Sequence, residues 1–206
     1  MPGKGKAKRI FFEGIGKNNP VFVQVLGICS TLAVTNRLEN TVVMSIGVIF
    51  VVTFSNLVVS ILRKLIPGRV RMMAETLIIA SFVIIVDIVL RAYLPDIWQS
   101  LGPYVGLIIT NCIIMGRSEA FAMNNPPSLS LVDGLASGIG YSYVLIIVAV
   151  FRELLGTGEL WGYTIFGGWW TNWAIMVMPP GAFFMLAIFV WIIKGVLVPE
   201  EEEESK

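Results

Sequence analysis

A chain of 206 residues that is 56% hydrophobic and 14% charged, with a mean hydropathy of +0.80, holds more apolar sequence than a soluble core can bury; an average soluble domain is roughly 25% charged. These proportions exclude an ordinary soluble enzyme and predict a one-domain, all-α integral membrane protein. The absence of His excludes imidazole metal sites and His acid–base chemistry within the chain, while a net charge of +1 says less than its distribution does.

In chain order, residues 1–17 read as a basic tail without the apolar core and small-residue cleavage site of a removable signal. Residues 18–198 read as the membrane domain, and residues 199–206, with Glu200 to Glu204, as a solvated acidic tail. Four stretches are long enough to cross: Asn40 to Leu62, Thr76 to Leu90 (extending back to about Met72), Gly134 to Phe151, and Pro179 to Ile193, running on to Val198. Two are shorter, Val21 to Thr35 and Leu101 to Met115. Fifteen helical residues cover only about 22 Å of a hydrocarbon core of about 30 Å. Each short segment holds one of the two cysteines, Cys29 and Cys112.

The predicted order is therefore short, long, long, twice over. Other marks support a repeat of about 18–98 on 99–198. Each cysteine precedes an Arg-x-Glu, at Arg37 and Glu39 and at Arg117 and Glu119. Arg63-Lys64 and Arg152-Glu153 follow the second span of each half, with Gly68 and Gly156 after them. Three crossings per half invert the second half, so the expected fold is six transmembrane helices in two inverted three-helix repeats, the first helix of each short or discontinuous. Paired short segments in such a fold point to a site near the midplane. Twelve of the 15 Lys and Arg residues fall on one side of this arrangement and only Arg37, Arg91 and Arg152 on the other, which predicts cytoplasmic termini. Trp161, Tyr163, Trp169, Trp170 and Trp173 then lie outside, as an interfacial belt or a platform for a quinone or partner.

Two cysteines are too few for a disulfide framework. As isolated residues they read as small buried hydrophobes; at matching places in inverted halves they read as two thiolates near an axis, two ligands short of a four-thiolate site. Glu39 and Glu119 would complete the set only as hard oxygens beside soft sulfur. A second chain of similar build, donating two more cysteines, completes it more naturally, around zinc or [2Fe–2S]. Among the acids, Asp87 reads either as an i,i+4 partner of Arg91 or as an ion-path carboxylate. Asp133 reads as a helix N-cap or a cation site, and Glu75 as an acid suited to a helix start. Gly134, Gly138 and Gly140 suit close helix packing. There is no Rossmann pattern, P-loop or nucleophile–base constellation, and nucleic-acid binding has no support beyond the basic tail.

The run Thr110-Asn111-Cys112-Ile113 leading into Gly116-Arg117-Ser118-Glu119-Ala120-Phe121-Ala122 is highly specific. With it come Asn19-Pro20, Gln24-Val25-Leu26-Gly27-Ile28-Cys29, Leu32-Ala33-Val34-Thr35, Phe151-Arg152-Glu153-Leu154-Leu155-Gly156 and Pro180-Gly181-Ala182-Phe183-Phe184. From about Asn18 to Lys194 the chain resembles the membrane subunits of the Na⁺-translocating NADH:quinone oxidoreductases and, more distantly, those of Rnf electron-transport complexes.

The resemblance, nearest to the D-type subunits, implies pairing with a homologous six-span E-type protein of opposite topology. It further implies that Cys29 and Cys112 hold half of a shared intramembrane [2Fe–2S] cluster that relays electrons across the bacterial inner membrane. It implies Na⁺ export coupled to ubiquinone reduction, with Asp87 and Asp133 matching acids of the sodium path. NADH, FAD, FMN, riboflavin and ubiquinone would be bound by the other members of the complex (the A-, B-, C- and F-type subunits), and the chain alone would have no dehydrogenase activity. An Rnf-type complex, a secondary transporter with structural cysteines and a zinc staple between subunits remain competing readings.

Overall fold

The computed structural model describes residues 26–161, 163–164 and 178–197. Among these the chain is helical apart from one strand pair, β1 (Glu159–Leu160) and β2 (Tyr163–Thr164). The helices are α1 (Ile28–Val34), α2 (Leu38–Leu62), α3 (Arg71–Tyr93), α4 (Pro95–Val105), α5 (Cys112–Arg117), α6 (Pro127–Gly156) and α7 (Pro179–Leu197). A 3₁₀ turn at Gly106–Ile108 follows α4, and a π-helical turn at Ser118–Ala122 follows α5.

Four of the described stretches are long and apolar enough to cross a bilayer: Leu38–Leu62, Gly68–Tyr93, Pro95–Ala122 and Pro127–Gly156, with a shorter apolar helix at Pro180–Ile192. The protein is a multi-pass membrane protein. Of the first expected span, residues 21–25 lie outside the described residues, and the rest is the seven-residue α1. The expected Leu101–Met115 span is instead a longer, broken element, and the break has a cause in the sequence. Pro103 sits inside α4 and removes a backbone donor. The chain then tightens into the 3₁₀ turn, leaves helical geometry at Asn111 and restarts at Cys112.

Helices α2 and α6 form the centre. A Cβ at Gly134 would lie 3.0 Å from Thr53 Cα and 3.1 Å from the Val52 carbonyl oxygen, and one at Gly138 would lie 3.1 Å from Ile49 Cα. The two backbones thus approach as closely as small residues allow, which is how membrane helices gain packing without a hydrophobic drive. Val48, Val51 and Val52 of α2 meet Val144, Leu145 and Val148 of α6 in the core, with Ile113 and Ile114 of α5. Polar side chains within these helices bond back onto their own turns: Ser45 Oγ donates to the Thr41 carbonyl at 2.7 Å, Thr53 Oγ1 to Ile49 at 2.6 Å, and Ser142 Oγ to Gly138 at 2.8 Å. Helix α3 is peripheral and turns Met73, Leu77, Ile84 and Ile88 outward, an apolar exterior suited to lipid or another membrane subunit.

The basic residues sort by end. Arg63 donates to the Asn125 carbonyl at 2.9 Å, Arg71 pairs with Glu119 at 2.6 Å, and Arg117 pairs with Asp133, all where α2 finishes and α3 and α6 begin. At the opposite end Arg152 holds the last turn of α1, Glu153 Oε2 accepts the Leu38 amide at 3.0 Å at the start of α2, and Arg91 lies near the end of α3.

Candidate functional site

The cysteines sit at the starts of the two half-helices. Helix α1 begins after Gly27, whose φ of +83° lies in the left-handed region that a side chain disfavours. A Cβ there would also fall 2.6 Å from Tyr141 Cε2, so position 27 requires glycine twice over. Helix α5 is capped by Asn111, whose side-chain oxygen accepts the Ile113 amide at 3.2 Å.

These two starts are tied to one another. Asn111 Nδ2 donates to Ser30 Oγ at 3.2 Å, the hydroxyls of Ser30 and Tyr141 are hydrogen-bonded, and Tyr141 Oη donates to the Gly27 carbonyl at 3.4 Å. All three side chains are at most 3% exposed. The residue after Cys29 is thereby bonded to the residue before Cys112. Tyr141 is the fifteenth of the thirty residues of α6, which places the knot at mid-height of the longest helix.

From the knot the half-helices run in opposite directions. Helix α1 ends at Thr35, where Arg152 donates to Thr35 Oγ1 and, at 3.3 Å, to the Leu32 carbonyl. Helix α5 ends at Arg117, paired with Asp133. Arg152 lies eleven residues after Tyr141 and Asp133 eight before it, about 16 Å and 12 Å along the helix axis. Two short helices thus start together at mid-depth and diverge toward opposite ends.

Cys29 and Cys112 are free and exposed, whereas their neighbours Ser30, Asn111 and Ile113 are buried. Among the described residues no three His, Cys, Asp or Glu groups come together as a metal site. The chain offers two thiols at its surface at one depth and, among the described residues, no further ligand of its own beside them.

The two sequence-predicted acids are not brought together. Asp87, in the last two turns of α3, accepts from Trp98 Nε1 at 2.9 Å and pairs with Arg91 at 3.5 Å, and the Arg91 guanidinium lies 4.4 Å from the centre of the Trp98 ring. Asp133 lies at the other end, 1% exposed and bridged to Arg117. It is the seventh residue of α6, because that helix starts at Pro127 after Pro126 at the N-cap. The N-cap role expected of Asp133 is therefore replaced by a buried ion pair. Glu75, expected at a helix start, is the fifth residue of α3 and 1% exposed. Sequence reasoning passes over Tyr141 and Ser30; the signal is available, since hydroxyls inside apolar spans must find partners. Of the aromatic group, Trp161 is exposed, and Trp169, Trp170 and Trp173 lie outside the described residues.

The family model described as "Rnf-Nqr subunit, membrane protein" matches residues 7–190. Relatives named as the D subunit of Na(+)-translocating NADH-quinone reductase include that of Tolumonas auensis, 44% identical over 100% of this chain and 98% of the relative. Those of Haemophilus influenzae and Photobacterium profundum are each 48% identical, over 99% and 100% of this chain and all of the relative. With matches of this length and identity, the chain belongs to the Rnf-Nqr family of membrane proteins.

Proposed function

We propose that this chain is a membrane subunit of a Na⁺-translocating NADH:quinone reductase, and that Cys29 and Cys112 supply half of the ligands of an intramembrane [2Fe–2S] cluster completed by a homologous partner. The observation that carries the reading is the meeting of two half-helices at mid-depth, each bearing an exposed cysteine at its start, with the buried bonds of Ser30, Asn111 and Tyr141 setting their separation. The donor set fits the group: two soft thiols at one surface, no other thiol in the chain and no competing ligand cluster among the described residues.

When bound, such a cluster carries one electron at a time. The residues of this chain do the positioning. Gly27 lets the backbone turn under Tyr141, Asn111 caps the second half-helix, and the core of α2 and α6 keeps water from the buried side of the knot. The local inversion of α1 against α5 supports an inverted-repeat architecture whose partner has the opposite topology. Gathering of Arg63, Arg71 and Arg117 at one end supports an inner-membrane orientation with that end, and both termini, in the cytoplasm. NADH, flavins and quinone belong to the other subunits, and Asp133 is the stronger of the two sodium-path acids because it is buried, whereas Asp87 is part of a half-exposed Arg–Trp contact.

The test is replacement of Cys29 or Cys112 by Ser in the assembled complex. The expected result is loss of cluster iron and of NADH-driven quinone reduction. Unchanged iron content and turnover would sink the reading and leave the cysteines as inert surface thiols; zinc in place of iron would make the pair a structural staple.

A further inference from the structure

A polar seam crosses the bundle at the end that carries Arg63, Arg71 and Arg117. Asp133 on α6 pairs with Arg117. Its neighbour Gly134 faces Asn56 of α2, whose Nδ2 lies 3.4 Å from the position of a Cβ at 134. Asn56 Oδ1 accepts from Ser118 Oγ at 2.9 Å. The next residue, Glu119, faces Glu75 of α3 and pairs with Arg71 at 2.6 Å. Glu75, Asn56 and Asp133 lie five to seven residues inside their helix ends, a common depth of about 7–10 Å. The seam passes through the π-helical turn Ser118–Ala122, a local widening of the helix often found at functional sites.

The seam is one positive charge short. Two carboxylates, Glu75 and Glu119, face a single guanidinium, and Arg71 gives its Nη1 to Glu119. Glu75 is 1% exposed, and its Oε1 has no hydrogen-bond partner, nor do the buried Asn56 Nδ2 and the Nε of Arg71, one turn before Glu75. A buried carboxylate oxygen without a donor is costly in a membrane protein; in a membrane span such a group marks an ion or proton position more often than an ornament. The pair also has a mouth: the Glu119 side chain is 46% exposed, and Glu75 lies behind it.

We propose that Glu75 and Glu119 form a Na⁺ site, entered at Glu119 and closed at Glu75, from which the seam leads through Ser118 and Asn56 to Asp133. Two hard carboxylate oxygens suit a hard cation, and Na⁺ rather than a proton follows from the reading of the chain as part of a Na⁺-translocating complex, on which this proposal rests. Arg71 keeps the site at a single net negative charge, matched to a monovalent ion.

The experiment uses the whole purified complex and dicyclohexylcarbodiimide, which modifies protonated carboxyls in apolar surroundings, with the adducts mapped by mass spectrometry. The expected result is labelling of Glu75 at low Na⁺ and protection by added NaCl but not by KCl. Absence of labelling, or labelling that Na⁺ does not prevent, overturns the proposal, the latter making Glu75 a proton carrier. Glu75→Gln, which preserves shape and the Glu119–Arg71 pair, should raise the Na⁺ concentration for half-maximal turnover about tenfold; an unchanged requirement in an assembled complex overturns it equally. Wild-type turnover with no Na⁺ dependence would defeat the parent reading and this proposal together, whereas Na⁺-dependent turnover with an unprotected Glu75 defeats this proposal alone.

Discussion

Asn111 donates to Ser30 across 3.2 Å, and that bond joins the two cysteine segments of the chain, 81 residues apart in sequence. Because Ser30 also bonds Tyr141, the separation of Cys29 and Cys112 is set by side chains other than the two thiols.

The two members of the knot should differ in weight. Asn111→Ala removes both the Ser30 bond and the cap of α5, and caps alone are worth about 0.5–2 kcal/mol. Tyr141→Phe removes one hydroxyl from the knot and leaves the Asn111–Ser30 bond; single side-chain bonds in membrane proteins average about 0.6 kcal/mol. Iron retained per purified complex should fall several-fold in Asn111→Ala and little in Tyr141→Phe. Equal iron in Asn111→Ala and wild type would show that the partner, not this knot, fixes the thiols.

Gly27 is the least replaceable position near the site. Alanine there must adopt a φ of +83° and place its methyl 2.6 Å from the Tyr141 ring. The backbone term alone costs about 1–2 kcal/mol. Gly27→Ala should lower the melting temperature of the complex and its assembled yield, while Gly106→Ala, where a Cβ meets nothing within 4 Å, should be mild. Equal behaviour of the two would remove the argument for close packing of Tyr141 on the α1 start.

The long helices are legible in the sequence because uncharged apolar runs in a membrane have few alternatives to helix. The run Asn40 to Leu62 folds as Leu38–Leu62, and Thr76 to Leu90 with its extension to Met72 folds as Arg71–Tyr93. The starts of the second half are less legible. The span expected from Gly134 starts at Pro127, which occupies the first helical position of α6, where its missing amide costs nothing. Helix α6 therefore begins a full two turns earlier, and Asp133 becomes an interior residue. Likewise Leu101 to Met115 reads as one short span because hydropathy does not register Pro103 and Asn111 as a break and a restart.

The cysteines are legible as a pair near mid-depth, but the packing that holds that depth is not. It depends on contacts with Tyr141, more than 100 residues from Ser30, that no local pattern encodes. The same holds for Glu75. Its position near a helix start gives no sign of burial, yet the side chain is 1% exposed.

Asp133 and Arg117 allow a decision between an architectural pair and a conduit for sodium. Asp133 is 1% exposed and the Arg117 side chain 14%, so removing either partner leaves a charge in a poorly solvated place. That error typically costs about 3–5 kcal/mol, whereas removing both is far milder. Asp133→Asn and Arg117→Gln should each reduce the yield of assembled complex, and the double variant should recover most of it. Recovery of assembly is the architectural half of the argument. The functional half is the Na⁺ requirement of turnover in the recovered double variant, where a carboxylate serving the ion path at position 133 would still be missing. A requirement that stays raised in the double variant separates the sodium role from the structural one; a return to the wild-type value assigns Asp133 to holding the end of α5 against α6 and nothing more.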